Sequence, residues 1–370
     1  MWCFSGKATV LAIYACVACV RAAPEAELPI SARTDEVKSD WTAVVYDAGN
    51  PILVGNDGGA GSGGFRTFEL DGQDPIPEFK HDKLGRTKLV TTVYGIDGKD
   101  LVVTIAQTDS LFRVYDASTF EQVGEPLREA LGDWSALCAW KSQISGEQYL
   151  YLFGKHQAVQ FLLRGQKESL DVTEIQTFKT PVEASSCALS LSAESVFFSG
   201  DDSSTVYAFK TAESTVTPDI KALGEVDDDI TGLAVYIGNG SDYLAVAQKD
   251  VVSIYDVSLE LLGSLKLTGD EDIEVQGLTF YQGSTSNYSE GALVYAIESE
   301  AGTGFGVSSL GAAFDALSLE PNTSYDPRNT PCESDRIICA ECNNNGFCLA
   351  NNRGSRKESC SVCIYHRNSL

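Results

Sequence analysis

Carboxylates are the residues of this chain best placed to do chemistry. They come in runs: Asp201-Asp202 after "FFSG", Asp227-Asp228-Asp229 before "ITGL", and Asp270-Glu271-Asp272 before "IEVQGL". Each run lies where an apolar stretch begins or ends, so loops gathered at one rim would bring their oxygens together. Calcium takes several oxygen ligands, and such a rim can supply them; a solvated acidic loop is the plain alternative. Other reactive types are sparse. The three histidines, His81, His156 and His366, have no metal-ligand spacing, and no Ser-His-Asp set suggests itself. Without a His or Cys nucleophile, hydrolysis would have to rest on water activated beside a bound metal ion. The Gly-rich "NDGGAGSGGF" at 56–65 is followed by no helix to present amides, so it reads as a turn and not as a phosphate cradle. Lys141, Lys155 and Lys249 stand at strand ends, where they could hold an anionic substrate; for each the alternative is a solvated surface lysine.

Cysteine is sparse until the end of the chain and then dense: Cys332, Cys339, Cys342, Cys348, Cys360 and Cys363. An even cluster of six in an exported protein reads as a disulfide framework. Zinc competes, because Cys339/Cys342 and Cys360/Cys363 are each C-x-x-C pairs; an oxidising compartment favours disulfides. Export is what the start of the chain implies. Residues 1–23 carry Lys7, then the apolar "ATVLAIYACVACV", then small residues before Pro24, which is the pattern of a secretory signal, with a buried core helix as the alternative. No later segment is long and apolar enough for a membrane-spanning helix. The sequons at Asn239, Asn287 and Asn322 would be glycan acceptors along that route. Net charge is −25, and removal of residues 1–23 takes away Lys7 and Arg21 and no acid, leaving −27. Such a surface repels nucleic acid and anionic membranes, so neither is expected as a partner.

The positioning elements come from a repeat. Between Asp40 and Glu320 there is almost no helical signal; runs of Val, Ile, Tyr, Phe and Thr alternate with Gly, Asp, Asn and Ser clusters. One phrase recurs at Phe65 (FRTFELDG), Leu111 (LFRVYDAS), Ala158 (AVQFLLRG), Thr205 (TVYAFKTA), Val251 (VVSIYDVS) and Phe305 (FGVSSLGA), in steps of 46, 47, 47, 46 and 54. A period in the forties within an all-β chain implies a β-propeller with one four-stranded blade per repeat. Six blades are expected, with five or seven as alternatives; a β-sandwich would not explain the even spacing. The phrase is the third strand of each blade, after an early strand ("LCAW", "GLAVY", "GLTFY") and a second ("QYLYLFG", "DYLAVAQ", "ALVYAIE"). Cys138 and Cys187 fall at equivalent positions in the early strands of consecutive repeats, as a disulfide or as two buried thiols. The fold class is therefore all-β: a signal at 1–23, a six-bladed propeller over 40–320, and a small disulfide-rich segment at 332–363.

Residues from Asp40 to about Glu320 also resemble the β-propeller phytases, secreted calcium-dependent enzymes that release phosphate from myo-inositol hexakisphosphate. "SDWTAVVYDAGNPILVGNDGGAGSGGFRTFELDG", "WSALCAWKSQISGEQYLYLFGKHQAVQFLL", "SSCALSLSAESVFFSGDDSSTVYAF" and "DDDITGLAVYIGNGSDYLAVAQKDVVSIYD" are similar to successive blades of that family. The resemblance implies six blades and a calcium site. Its acidic ligands would be Asp40, Asp57, Asp201 and Asp229, with Glu298 where the family has Asp. The departures are many. Gly58 replaces a Lys, and Thr108-Asp109-Ser110 an Asn-Arg-Ser turn. Val93 replaces an Arg, Ser185 and Thr231 each a Glu, and Gln276 an Asp. A site that keeps carboxylates and loses cations should repel inositol phosphate, because many phosphate charges need Arg and Lys. "CNNNGFC" at the end resembles part of an EGF-like module, without the usual closing turn.

Three readings stand at this point. The chain is an accessory, non-catalytic propeller that binds calcium, a second propeller or another extracellular partner; or a working calcium-dependent phytase with a diverged site; or a general extracellular module for protein or glycan.

Overall fold

The computed structural model describes residues 23–329, apart from 48–49, 60–62, 73, 83–85, 107–109, 129–132 and 167–168. The signal segment, the six C-terminal cysteines and the turn residues Thr108 and Asp109 lie outside the described residues. The chain opens with β1 (Glu25–Pro29) and β2 (Ala32–Arg33). Blade 1 is then β3 (Thr42–Val45), β4 (Ile52–Asp57), β5 (Gly64–Glu69) and β6 (Glu78–Asp82). Blade 2 is β7 (Thr87–Ile96), β8 (Lys99–Ala106), β9 (Leu111–Asp116) and β10 (Leu127–Arg128). Blade 3 is β11 (Trp134–Lys141), β12 (Gln148–Gly154), β13 (Gln157–Gln166) and β14 (Ser169–Lys179). Blade 4 is β15 (Ala184–Ser190), β16 (Ser195–Gly200), β17 (Thr205–Lys210) and β18 (Lys221–Glu225). Blade 5 is β19 (Gly232–Tyr236), β20 (Tyr243–Gln248), β21 (Val251–Asp256) and β22 (Leu261–Thr268). Blade 6 holds β23 (Glu274–Tyr281), β24 (Ala292–Ser299) and β25 (Gly302–Ser309).

The protein is a six-bladed β-propeller. Each blade is an antiparallel meander, and the inner strands β3, β7, β11, β15, β19 and β23 each touch the next, with β23 returning to β3. The recurring phrase is the third strand every time: β5, β9, β13, β17, β21 and β25. The even steps reflect one four-stranded blade per repeat, with strand and turn lengths that compensate one another, and the β23–β24 loop lengthens the last step.

Ring closure uses the start of the chain. β2 pairs antiparallel with β25, Ala32 opposite Val307, and supplies the outer strand that blade 6 lacks. β1 runs parallel to β22, from Glu25 opposite Ser264 to Pro29 opposite Thr268, as a fifth strand of blade 5. Arg33 ties this segment down through Asp270 and through Ser299 Oγ, 3.2 Å away. The propeller thus takes in residues on the N-terminal side of Asp40.

Apolar side chains between neighbouring blades form six clusters, one per interface. The middle of each blade is buried on both faces, so its second strand reads as a near-continuous apolar run, as in "YLYLF" of β12, which is buried throughout. Gly55 marks the tightest of these contacts. A Cβ there would lie 1.9 Å from the buried Phe305 ring, so blade 6 packs directly on the backbone of blade 1.

Among the described residues, one α-helix and a short 3-10 turn at Pro327–Asn329 depart from the all-strand expectation. α1 (Leu310–Leu317) follows β25, starts at Ser309, whose Oγ accepts from Ala312 N at 3.3 Å, and stops at Ser318 in the left-handed conformation (φ 57°). Leu310, Ala313, Phe314 and Leu317 are its buried stripe, with Phe314 edge-on to Tyr236 at 4.5 Å.

Candidate functional site: the two mouths of the channel

Inner strands run in one direction, so the central channel has a near mouth, where they begin, and a far mouth, where they end. Between the mouths lies a cavity of about 250 Å³.

The near mouth is built from irregularity. Four inner strands begin with a register shift that leaves one residue out of the ladder: Lys88 in β7, Ser135 in β11, Ser185 in β15 and Gln276 in β23. A bulge of this kind re-aims a side chain out of the sheet. Trp41 and Thr231 stand at the matching positions of blades 1 and 5, just before β3 and β19. The six positions form a ring with one cation and no carboxylate. Trp41 packs against the apolar clusters of three successive interfaces, between blades 1 and 2, 2 and 3, and 3 and 4. It therefore extends across the channel.

Beside Trp41, the buried Asn56 acts as a hub. Its Oδ1 accepts from the amides of Asp40 (3.1 Å) and Trp41 (2.8 Å), and its Nδ2 donates to the Asp40 carboxylate and to Thr87 O (3.4 Å). Asp40 touches solvent at the mouth but is crowded by protein. Burial pushes its carboxyl above the ordinary value of 3.8, with Asn56 and the Lys88 charge pulling the other way.

All five carboxylates expected to hold calcium lie at this near end, in four different blades. Asp57 is buried, its Oδ1 accepting from Gly59 N (2.9 Å) and its Oδ2 from Arg66 Nε (3.0 Å). Asp201 is exposed in the β16–β17 turn, Asp229 is exposed before β19, and Glu298 is exposed near the end of β24. Among the described residues, no three His, Cys, Asp or Glu side chains are grouped to hold a metal ion. The five carboxylates as folded do not fit a calcium centre. The lysines also part company. Lys155, in the β12–β13 turn, pairs with Asp133 at 2.8 Å, and Lys249 is exposed in the β20–β21 turn of blade 5. Lys141 lies at the opposite mouth, its Nζ 3.5 Å from Arg328 O.

The far mouth was not foreseen as a site. Polar ties link every pair of adjacent blades there. Tyr46 Oη donates to Phe280 O (3.3 Å), Tyr94 Oη to Val44 O (2.6 Å), and Gln148 Nε2 to Tyr94 O (2.6 Å). Glu213 of the β17–β18 loop accepts from Ser145 Oγ (2.6 Å). Asp242 accepts from Ser190 Oγ (2.7 Å) and Ser192 N (2.9 Å), and Gln282 exchanges bonds with Ile237 N and O, both 2.8 Å. One readable signal marks these strand ends: an aromatic closes the inner strand in five blades (Tyr46, Tyr94, Trp140, Tyr236, Tyr281), with Ser190 in the sixth.

Onto this ring α1 delivers the segment 321–329. Asn322 is buried; its backbone N–H donates to Tyr236 Oη and its Nδ2 to Ile237 O (2.9 Å), while Gln282 Nε2 donates to Asn322 O (3.3 Å). Asn322 Oδ1 accepts from Ser324 N (3.2 Å) and Oγ (2.7 Å). The amide expected to carry a glycan is thus engaged inside the protein. Tyr325 and Pro327 line the cavity, and the Tyr325 ring stands edge-on to Tyr46 at 6.2 Å. Asp326 holds Arg328 through Nε (2.9 Å) and Nη2 (2.8 Å).

The channel also contains the Cys138–Cys187 disulfide, which joins β11 to β15 with a Cα–Cα distance of 6.0 Å. The two positions are not register equivalents. Ala136 matches Ser186 in the ladders, so Cys138 sits one step further along its strand than Cys187. Successive side chains point to opposite faces of a blade, so equivalent cysteines would face the same way round the ring. The one-step offset is what lets them meet.

No known protein-family pattern matches the chain, and no curated protein matches it. Among solved structures it is similar to BBS1N in complex with ARL6DN (TM-score 0.47, 11% identity, 76% of this chain and 94% of that one). It is similar also to Hsv2 of Kluyveromyces lactis (TM-score 0.38, 10% identity, 69% and 70%). Likenesses at this level say nothing of the site; the fold rests on the closed ring of six sheets.

Proposed function

We propose that the chain is an exported, non-catalytic propeller that works as a binding module, a diverged copy of the β-propeller phytase architecture. The observation that carries this reading is the channel wall. Among the described residues that line it, Lys141 is the one charged side chain, and it contacts Arg328 O. A substrate with many phosphate charges needs converging cations, and a hydrolytic water needs a base or a metal. The near mouth supports the same reading. Ser185, Thr231 and Gln276, where the phytase resemblance implies carboxylates, occupy three of its six ring positions. Asp57 is engaged with Arg66.

The test is phosphate release from myo-inositol hexakisphosphate by the purified, folded chain, in millimolar calcium and in chelator. The reading expects no release in either. Calcium-dependent release would overturn it and establish the working-enzyme alternative.

A further inference from the structure

The far mouth is built like a peptide-recognition site, and its occupant is part of the same chain. Residues 321–329 add no strand to any blade. They lie across the mouth and are held by side chains that already serve the ring. Gln282 is nearly fully buried and would keep its bonds to Ile237 whether or not Asn322 is present. Tyr46 and Tyr94 likewise bond to neighbouring blades, not to the segment. The seat is therefore preorganised by the propeller, which is the condition for binding a short segment at low entropic cost.

What the seat reads is legible in the contacts. It engages one Asn by backbone and side chain, at Tyr236 Oη, Ile237 O and Gln282 Nε2. It engages one aromatic three residues later, against Tyr46 over the cavity. Downstream it engages a backbone carbonyl through Lys141. A buried polar anchor beside a half-buried aromatic one is how affinity concentrates in a small interface.

We infer that the far mouth recognises short peptides of the form Asn-x-x-aromatic in the turned conformation seen at 322–325, and that residues 321–329 are the resident copy, exchangeable with the same motif presented in trans. The inference rests on the binding-module reading. The two fail separately: phosphate release bears on that reading alone, and peptide binding on this one.

The experiment uses the full chain and a labelled peptide of residues 319–329, followed by fluorescence anisotropy. Asn322→Ala/Tyr325→Ala in the full chain weakens the resident segment and leaves the ring intact. The peptide should bind this variant at least about tenfold more tightly than the wild type, since weakening a competing occupant raises the fraction of open sites. A peptide with both anchors replaced by Ala should lose that binding. Equal binding to the two proteins, or none to a variant that still melts cooperatively, overturns the inference. Should the variant fail to fold, hydrogen exchange on the wild type decides. Amides of 322–329 should exchange at least about tenfold faster than those of β19 and β23, as a separately opening unit does. Exchange at the same slow rate means that the segment is a fixed part of the fold and overturns the inference.

Discussion

The Cys138–Cys187 bridge makes a prediction whose size follows from topology. The bond spans a sequence separation of 49 residues and joins the inner strands of blades 3 and 4. Closing a loop of that length removes about 4 kcal/mol of chain entropy from the unfolded ensemble. With an unfolding entropy of about 2.1 cal/mol/K per residue over roughly 300 residues, that corresponds to a melting point about 6 °C higher. Each single change, Cys138→Ala or Cys187→Ala, should cost the full amount, because either alone removes the bond. The double variant should cost little more than one of them. Melting curves of the four proteins, recovered from an oxidising compartment, give the coupling directly, and it should approach about 4 kcal/mol. A non-reducing peptide map should show the linked pair. Additive single effects, or a map with both thiols free, would refute the pairing and with it the account of why a one-step register offset matters.

Three other outcomes follow from single contacts. Burial holds the Asp40 carboxyl above its ordinary value, so the folded chain binds that proton more tightly than the unfolded chain, and the charge costs stability at neutral pH. Asp40→Asn should raise the melting temperature at pH 7, with the gain vanishing once pH drops below the unfolded value near 3.8; a loss of stability at pH 7 would contradict the burial argument. Gly55→Ala drives a methyl into the Phe305 ring and should cost about 1–3 kcal/mol in chemical denaturation, with Phe305→Leu on the same background recovering part of it. In protein secreted from a eukaryotic host, mass spectrometry should find glycan at the exposed Asn239 and none at Asn322, whose amide nitrogen bonds Ile237 O; a glycan at Asn322 in natively melting protein would count against the seated segment.

The propeller was readable from sequence because blade geometry repeats. Each third strand must pack against two neighbouring blades, so "LFRVYDAS" and "VVSIYDVS" meet the same environment three blades apart. The helix was missed, although Leu310, Ala313, Phe314 and Leu317 have helical spacing. Eight residues behind a strand phrase are easily absorbed into it. What sequence could not show is partnership across blades. Asp57 looks like a ligand until Arg66 is seen beside it, and Lys141 and Lys155 look alike until one is at each end of the channel. Spacing along the chain carries no information on these pairings, because they depend on how neighbouring strands are staggered. Asn322 is the sharpest case: its three-residue motif suggests an outward-facing acceptor, and the fold turns it inward.

These pairings also settle how a chain with net charge −25 comes to have a nearly uncharged channel. Many cations are paired with carboxylates: Arg66 with Asp57 and Glu78, Arg33 with Asp270, Lys155 with Asp133, Arg164 with Glu147, Arg328 with Asp326. Most of these pairs are surface bridges of little individual worth. Their collective effect is positional. Apart from Lys141, the guanidinium and ammonium groups stay off the channel wall, which is left mainly to Val, Ala, Leu, Thr and the disulfide. An anionic ligand finds one counter-charge in such a channel, Lys141, already engaged by Arg328 O. An aromatic ring such as that of Tyr325 finds apolar walls to cover and a polar rim whose bonds are already formed. The same distribution of charge that argues against phosphate chemistry at the near mouth therefore favours a peptide with one amide and one ring at the far one.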